Sequence, residues 1–445
     1  MTNYARRLGL FSGTMAVVGG IIGGGIFRTP ATVAERLHSP SLVLLAWVIG
    51  GIVALIGAFC FGELGQRRPR AGGGYVYLRE TFGPLPAFLY GWTLVLVIAT
   101  GAIAAVAVTF ADYTLALVGL PSTYSVPLAV AAILFHTAIN YIGVRPAAIT
   151  QNIFTMLKLV ALAILIVVGV FAVTPTVPYR ALPSLTVASP VGAIGAALVP
   201  ILFTYGGWQQ TNFIAEEIVE PERNLPRALV YGVAIVVTVY LLTNVAYLRV
   251  LGVDGLAAST APAADTMRLL LGPAGGKIIA AGIALSTFGF LNLVILVTPR
   301  VLQAMAADGV FFRRFAVLHP AYQTPTAAIV ALAVFAVALT LTGTFGQLVD
   351  YVTFGDWIFF GLCVAGLFVY RAKEHGAGSR EQSAPGSVLP APFRVPGYPV
   401  TPALFVLAAA FVVYSAIASN PKNAAIGVGL IALGIPAFLY WRSHP

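Results

Sequence analysis

The chain has 445 residues, of which 59% are hydrophobic and 9% are charged, and its formal net charge is +10. Soluble domains carry about 25% charged residues, so this composition excludes most soluble enzymes. It also excludes a disordered chain, which needs low hydrophobicity and high charge. The composition indicates a polytopic, all-α membrane protein.

Twelve apolar segments are predicted as membrane-spanning helices, each of which needs about 20 residues. They lie at approximately 10–37, 41–66, 84–118, 126–142, 150–173, 190–214, 227–250, 277–303, 324–342, 346–370, 401–418 and 424–441. The third segment is longer than one span requires, which predicts a strongly tilted helix.

The basic residues predict the orientation of these spans. With the N-terminus in the cytoplasm, most of the 25 Lys and Arg residues fall in cytoplasmic loops, among them Arg67, Arg68 and Arg70. Because basic residues concentrate on the cytoplasmic side of membrane proteins, the net charge reflects topology, and we expect no nucleic-acid partner. We therefore expect a multi-pass protein of the inner cell membrane with both termini in the cytoplasm.

Glycine clusters interrupt the first and the sixth span. The first contains the run GGIIGGGIF over 19–27, and the sixth contains YGGW over 205–208. Taken by itself, the first run can also be interpreted as a site of close helix packing, because it fits the GxxxG pattern. Glycine-interrupted spans at corresponding places in two halves of a chain instead indicate an inverted-repeat transporter with its substrate site at the membrane midplane.

A break in the first span suits a zwitterionic ligand. The outer half-helix begins near Gly24 and Gly25, where free N–H groups and the positive dipole end favour a carboxylate. The inner half-helix ends near Ile21, where free carbonyl groups favour an ammonium group. One broken helix therefore accommodates both charges of an amino acid without an ionisable side chain.

Lys158 lies inside the apolar fifth span. Placing a lysine at the centre of a span costs about 2.5–3.5 kcal/mol on insertion scales, so a functional role is the first interpretation. The alternative is snorkelling, because residue 158 is about two turns from the predicted cytoplasmic start of its span.

Other polar residues give weaker predictions. Glu216 and Glu217 follow the sixth span, and we expect ion pairs with Arg223 and Arg227 in an inner gate rather than acid–base catalysis. Asp356, in the tenth span, is a candidate proton site. Arg28 follows the first break, where it either pairs with Glu35 in an outer vestibule or favours anionic substrates.

Catalytic and metal-binding constellations are missing from the sequence. Cys60 and Cys363 both fall in apolar runs, and the five histidines are scattered without ligand spacing. We therefore expect neither a metal site nor a cofactor, and no enzymatic activity.

Five stretches of the chain resemble the amino acid–polyamine–organocation superfamily and, within it, a bacterial member of the L-type amino acid transporter family. They are GGIIGGGIFRTP in the first span, GELGQRRPRAGGGYVYLRETFGPLPAFLYGW before the third, QNIFTMLKLVAL in the fifth, FTYGGWQQTNFIAEEIVEPERNLPRAL in the sixth and TPRVLQAMAADGVFF after the eighth. The resemblance implies the fold of sodium-coupled leucine transporters, a LeuT-like 5+5 inverted repeat with helices 1 and 6 broken, plus two further helices.

The implied organisation has five parts. They are a cytoplasmic tail over 1–9, a first repeat over 10–175, a second repeat over 188–371, a cytoplasmic loop over 372–400, and two last spans with a short tail over 401–445. The loop between spans three and four lacks cysteine. The disulfide to a glycoprotein heavy chain that animal relatives form is therefore excluded there.

The resemblance also implies a site. Its substrate-binding residues would be Ile21, Gly23, Gly24, Gly25, Phe203, Tyr205 and Gly206. The Phe203 ring would be the outer gate, and Gly206 would leave room beside the substrate. Lys158 would occupy the sodium position of sodium-coupled relatives, bound to carbonyl groups near Gly20 and Gly23 and to the hydroxyl of Ser286.

The implied activity is sodium-independent exchange of neutral L-amino acids across the membrane by alternating access. Two alternatives stay open at this point. One is proton-coupled symport of amino acids, including cationic ones, which requires that Lys158 titrates. The other is an amino acid sensor that binds its ligand without moving it.

Overall fold

The computed structural model describes residues 4–171, 190–343, 345–377, 393–419 and 421–443. Within these ranges the regular structure is helical, and the one β contact is an isolated bridge between Leu8 and Ile218. About half of the predicted loop over 372–400 and the whole link between the two predicted repeats lie outside the described residues.

Seventeen α-helices make up the described structure. The first eight are α1 (Leu10–Ile21), α2 (Thr29–Leu37), α3 (Pro40–Arg67), α4 (Gly74–Phe82), α5 (Pro84–Thr93), α6 (Thr100–Val118), α7 (Ser125–Tyr141) and α8 (Val144–Phe171). The others are α9 (Pro190–Thr204), α10 (Pro221–Ala258), α11 (Pro262–Leu271), α12 (Pro273–Ala307), α13 (Thr326–Thr342), α14 (Phe345–Ala377), α15 (Val400–Ser419), α16 (Pro421–Ala432) and α17 (Gly434–Ser443). Proline begins several of them, because its missing N–H has no helical partner at that position.

The chain is a multi-pass membrane protein. Among the described residues, nine helical stretches are long and apolar enough to cross a bilayer, and α1 and α13 are apolar but shorter. The predicted third span is one continuous stretch, Pro84–Val118, whose middle residues Leu94–Ala99 form a π-helix. A π-segment of this kind often marks a functional position in a helix.

Three differences from the predicted boundaries bear on the candidate site. The fifth span starts at Val144 rather than at residue 150, so Lys158 lies deeper in its helix than expected. The seventh extends over Pro221–Ala258, with a kink at Gly252. The sixth is α-helical only to Thr204 and continues as a 3₁₀-helix over Trp208–Glu217.

Helix α1 lies between α8, α10 and α12, and small residues allow these close approaches. A Cβ atom on Gly13 would lie 3.1 Å from the Cβ of Ala228 on α10. A Cβ on Gly232 of α10 would lie 2.6 Å from the Cβ of Val17. This packing fixes the position of α1 against its neighbouring helices.

Candidate substrate site

The first span breaks where the glycine run predicts. Helix α1 ends at Ile21, and Ile22 leaves helical geometry with ψ 87°. A 3₁₀ turn over Gly25–Phe27 follows, and α2 begins at Thr29. Gly24 is exposed while the flanking Ile22 and Ile26 are fully buried, so the break presents backbone rather than side chains to accessible space.

The sixth span breaks at its own glycines. Gly207 has φ +105°, a conformation that only glycine adopts without strain. Its N–H donates to the Oε1 atom of Gln209 at 3.0 Å, which satisfies one of the groups that the break frees.

The two breaks touch each other. A Cβ on Gly20 would lie 2.9 Å from the carbonyl oxygen of Gly207 and 2.8 Å from the Cδ2 of Leu293. A Cβ on Gly25 would lie 2.7 Å from the Cγ2 of Thr204. The glycines therefore also serve close packing, as the alternative interpretation of the first run proposed.

Lys158 binds the end of α1. Its ammonium nitrogen donates to the carbonyl oxygens of Gly19 at 3.2 Å and Ile22 at 2.7 Å, and the side chain is fully buried. The snorkelling alternative is therefore wrong. The hydroxyl of Ser286 on α12 lies 3.2 Å from the same Ile22 oxygen and 3.3 Å from that of Gly23.

The carbonyl groups around Lys158 differ by one residue from those expected. Gly20, predicted near the ammonium group, instead faces Gly207, and Gly19 and Ile22 supply the acceptors.

Tyr240 on α10 was not found by sequence reasoning. Its buried hydroxyl lies 3.1 Å from the carbonyl oxygen of Ile21 and 3.5 Å from that of Thr204, so it joins the two breaks. The Ile21 oxygen also accepts the N–H of Gly23 at 2.9 Å, so this carbonyl is not free as expected. A single tyrosine in an apolar span gives no sequence signal for this contact.

The predicted residues of the sixth span differ in exposure. The Phe203 side chain is 53% exposed, and its carbonyl accepts the N–H of Gly206 at 3.0 Å. Tyr205 is buried, donates its hydroxyl to the Trp47 carbonyl at 3.3 Å and packs edge-to-face on that indole ring. Phe203 is therefore placed to move without disturbing the core, whereas the Tyr205 side chain is part of it.

The end of the molecule predicted to be cytoplasmic is held by buried ion pairs. Glu217 and Arg300 are both fully buried and paired at 2.8 Å. The expected pairing of the two carboxylates after the sixth span with Arg223 and Arg227 is therefore wrong, and Arg223 instead lies 3.9 Å from Glu220. Glu216 accepts the backbone N–H of Ala71 at 3.2 Å.

The N-terminal segment covers this ion pair. The N–H groups of Arg7 and Leu8 donate to the Glu217 carbonyl at 2.9 and 3.0 Å, and the Arg300 guanidinium lies over the Tyr4 ring at 5.8 Å. Burial raises the pKa of the Tyr4 phenol well above its ordinary value. The N-terminal segment therefore packs directly on this buried ion pair.

A second buried carboxylate links three further elements. Glu63 on α3 pairs with Arg371 on α14 at 2.6 Å and accepts the N–H of Val395 at 2.7 Å. Arg67, one turn further along α3, bonds the same carboxylate. Sequence reasoning missed this cluster, because its members are far apart in the chain.

The remaining candidate residues take no part in these contacts. In the described part of the chain, no group of three His, Cys, Asp or Glu side chains could hold a metal ion. Arg28 is exposed, and no ion pair joins it to Glu35 within the described ranges. The Oδ1 of Asp356 has no hydrogen-bond partner among the described atoms.

The sequence model of the amino acid permease family matches residues 8–440. The human b(0,+)-type amino acid transporter 1 is 35% identical over 425 residues, which cover 94% of this chain and 84% of that protein. The human large neutral amino acids transporter small subunit 2 is 32% identical over 452 residues, covering 99% and 82%. The mouse Asc-type amino acid transporter 1 is 32% identical over 457 residues, with the same coverage.

These matches span nearly the whole chain, including both broken spans and Lys158, and they are matches to transporters rather than to enzymes. The chain therefore belongs to the amino acid permease family of the amino acid–polyamine–organocation superfamily, among the relatives of the L-type amino acid transporters.

Proposed function

We propose that this amino acid transporter exchanges neutral L-amino acids across the membrane by alternating access, without sodium. The observation that carries the proposal is the position of Lys158, whose ammonium group bonds the Gly19 and Ile22 carbonyls beside the Ser286 hydroxyl. Carbonyl and hydroxyl oxygens are ligands that a sodium ion would also use, so a fixed positive charge there makes the ion unnecessary.

The substrate is bound by backbone in this proposal. The carboxylate takes the N–H groups at Gly24 and Gly25, which begin the 3₁₀ turn after the first break. The ammonium group takes carbonyl oxygens at Phe203 and Tyr205, where the sixth span loses its helix. The two charges of the substrate are then both met by backbone groups, which favours a neutral amino acid. The name of one relative, the large neutral amino acids transporter small subunit 2, indicates such substrates for that protein.

The proposed architecture is a LeuT-like fold of twelve spans, in which residues 10–175 and 188–371 are inverted repeats. The inner cell membrane holds the protein with both termini in the cytoplasm. No disulfide joins it to a heavy chain, since the link between α6 and α7 has no cysteine and both cysteines of the chain are buried.

Counterflow in proteoliposomes tests this function. Vesicles containing the purified protein are loaded with unlabelled leucine or left empty, and uptake of radiolabelled leucine is measured in sodium and in choline buffer. We expect fast uptake only into loaded vesicles, at equal rates in both buffers. Equal uptake into empty vesicles would rule out exchange, and a requirement for sodium would contradict the role of Lys158.

Proton-coupled symport is the second candidate. Among the described residues, no carboxylate pairs with Lys158, and its hydrogen-bond partners are neutral carbonyl groups. No counter-ion therefore stabilises its charged form, which is the condition that favours a lysine able to lose its proton. An acid-outside pH gradient across empty vesicles separates the two mechanisms, because only a symporter would then accumulate leucine. Binding without uptake in either experiment would identify a sensor.

A further inference from the structure

A buried polar cluster between α7, α8 and α12 is not used by the proposed function. Its centre is Asn292 on α12, whose amide nitrogen donates to the Ala147 carbonyl and to the Oε1 of Gln151, both at 3.0 Å. The Asn292 oxygen accepts the amide of Asn140 on α7 at 3.1 Å. The side chains of Asn140, Gln151 and Asn292 are each at most 1% exposed, so water does not compete for these bonds.

The cluster continues to the first span. The Nε2 atom of Gln151 donates to the hydroxyl of Thr155 at 3.2 Å, and this hydroxyl donates to the carbonyl oxygen of Met15 on α1 at 3.2 Å. Thr155 lies one turn before Lys158 on α8, and Met15 lies one turn before Gly19 on α1. The series of hydrogen bonds therefore ends one helical turn from the contact between Lys158 and Gly19.

The bonds form a directed series from Asn140 through Asn292, Gln151 and Thr155 to the Met15 carbonyl. In a buried series, each bond polarises the next, and removing one member leaves its neighbours without a partner. The approach of the two helices is close here, because a Cβ on Gly19 would lie only 2.6 Å from the Thr155 hydroxyl.

We propose that Asn292, Gln151 and Thr155 are positioning residues for transport. They hold α8 in register with the inner half of the first span, so that Lys158 reaches the carbonyl groups at the break. The inference rests on the proposed function only in its readout, which is amino acid uptake.

A double-mutant cycle between Thr155 and Asn292 tests this role. These two residues bond Gln151 but not each other, and independent sites that do not touch have additive effects. Thr155→Val keeps the side-chain shape and removes the hydroxyl, and Asn292→Leu removes the amide. Initial uptake rates are measured per folded protein, together with the melting temperature in detergent.

We expect each single substitution to lower the uptake rate about fivefold or more, because Thr155→Val removes two buried hydrogen bonds and Asn292→Leu removes three. The double variant should be no slower than the slower of the two single variants. Thr155→Ser should restore most of the rate, because serine keeps the hydroxyl. The matched control is Thr150→Val on the same helix, whose hydroxyl bonds only its own backbone at Pro146, and it should transport like the wild type.

Additive losses, or a Thr155→Val variant as fast as the wild type, would overturn the proposal. A Thr150→Val variant as slow as Thr155→Val would also overturn it. Removing any hydroxyl from α8 would then slow uptake, whether or not that hydroxyl belongs to the cluster. If Asn292→Leu does not fold, Gln151→Met takes its place in the cycle with Asn140→Leu as its partner, since those two residues are likewise joined only through Asn292. A wild-type protein without uptake would contradict the proposed function instead.

Discussion

The ammonium nitrogen of Lys158 lies 2.7 Å from the carbonyl oxygen of Ile22, the residue at which the first span stops being helical. A helix end leaves its last carbonyl groups without partners, and within a membrane no water replaces them. The lysine satisfies these groups, and they in turn make its own burial tolerable. The break and the lysine therefore depend on each other, although they lie on different helices.

Replacing Lys158 with methionine tests this dependence. The change keeps an unbranched side chain, one atom shorter, but leaves the Gly19 oxygen without the ammonium donor and the Ile22 oxygen with only the Ser286 hydroxyl. Losing the partner of a buried polar group costs about 1–3 kcal/mol. We expect a lower melting temperature and loss of leucine exchange. Lys422→Met, at an exposed position, is the control and should alter neither quantity. Undiminished exchange by Lys158→Met would show that the ammonium group is not needed.

Removing the hydroxyl of Tyr240 should weaken the connection between the two breaks. Tyr240→Phe retains the ring but leaves the Ile21 oxygen with a single donor, so we expect a loss of about 0.5–1.5 kcal/mol of stability and slower exchange. Thermal unfolding and counterflow measure the two effects. Tyr231→Phe, on the exposed face of the same helix, should behave like the wild type. Equal rates for both variants would remove Tyr240 from the site.

Adding one methyl group near the break should destabilise the protein at Gly20 but not at Gly24. Gly20→Ala places a Cβ 2.9 Å from the Gly207 carbonyl, and such overpacking costs typically about 1–3 kcal/mol. Gly24→Ala meets no atom within 4 Å and has an ordinary φ of −85°, so it should fold normally. The melting temperatures of both variants test this difference. A Gly20→Ala protein that melts at the wild-type temperature would contradict the close contact of the two breaks.

The two breaks and the lysine could be predicted because each is rare in so apolar a chain. Mid-span glycine runs and a single buried lysine stand out against their neighbours, whatever the tertiary structure is. These predictions needed only the identity of the residues and their place within a span. The position of Ser286 beside the first break was instead predicted from the family resemblance.

The partners of those residues could not be predicted. Glu217 was matched with arginines near it in sequence, but its partner Arg300 comes from α12, which packs beside it only in the folded chain. The acceptors of Lys158 were displaced by one residue, since the sequence does not show which carbonyl groups of the first span face α8 in the folded chain. Asn292 gave no signal, since a polar residue in a span is equally compatible with a lumen or with a buried network.

The exposed ring of Phe203 should matter for transport and little for folding. Because 53% of this side chain is accessible, Phe203→Ala removes little buried surface, and the melting temperature should change by only a few degrees. If the ring closes the site, exchange should fall by about tenfold or more, since each tenfold corresponds to about 1.4 kcal/mol. Phe171→Ala, at a ring that is 79% exposed and remote from both breaks, is the control. Normal exchange by Phe203→Ala would mean that another residue forms the gate.

The pair of Glu217 and Arg300 should be far more sensitive to losing one partner than to losing both. Glu217→Gln leaves a buried guanidinium group without its counter-ion, and breaking a buried pair in this way costs about 3–5 kcal/mol. The double variant Glu217→Gln/Arg300→Met removes both charges, so its melting temperature should recover most of the loss. Arg223→Ala breaks only the exposed contact with Glu220 and should cost less than about 1 kcal/mol. A double variant less stable than either single one would show that these residues stabilise the closed end independently. Recovery of stability without recovery of exchange would instead assign the charges to the transport cycle, because the pair must then form and break as this end of the molecule closes and opens.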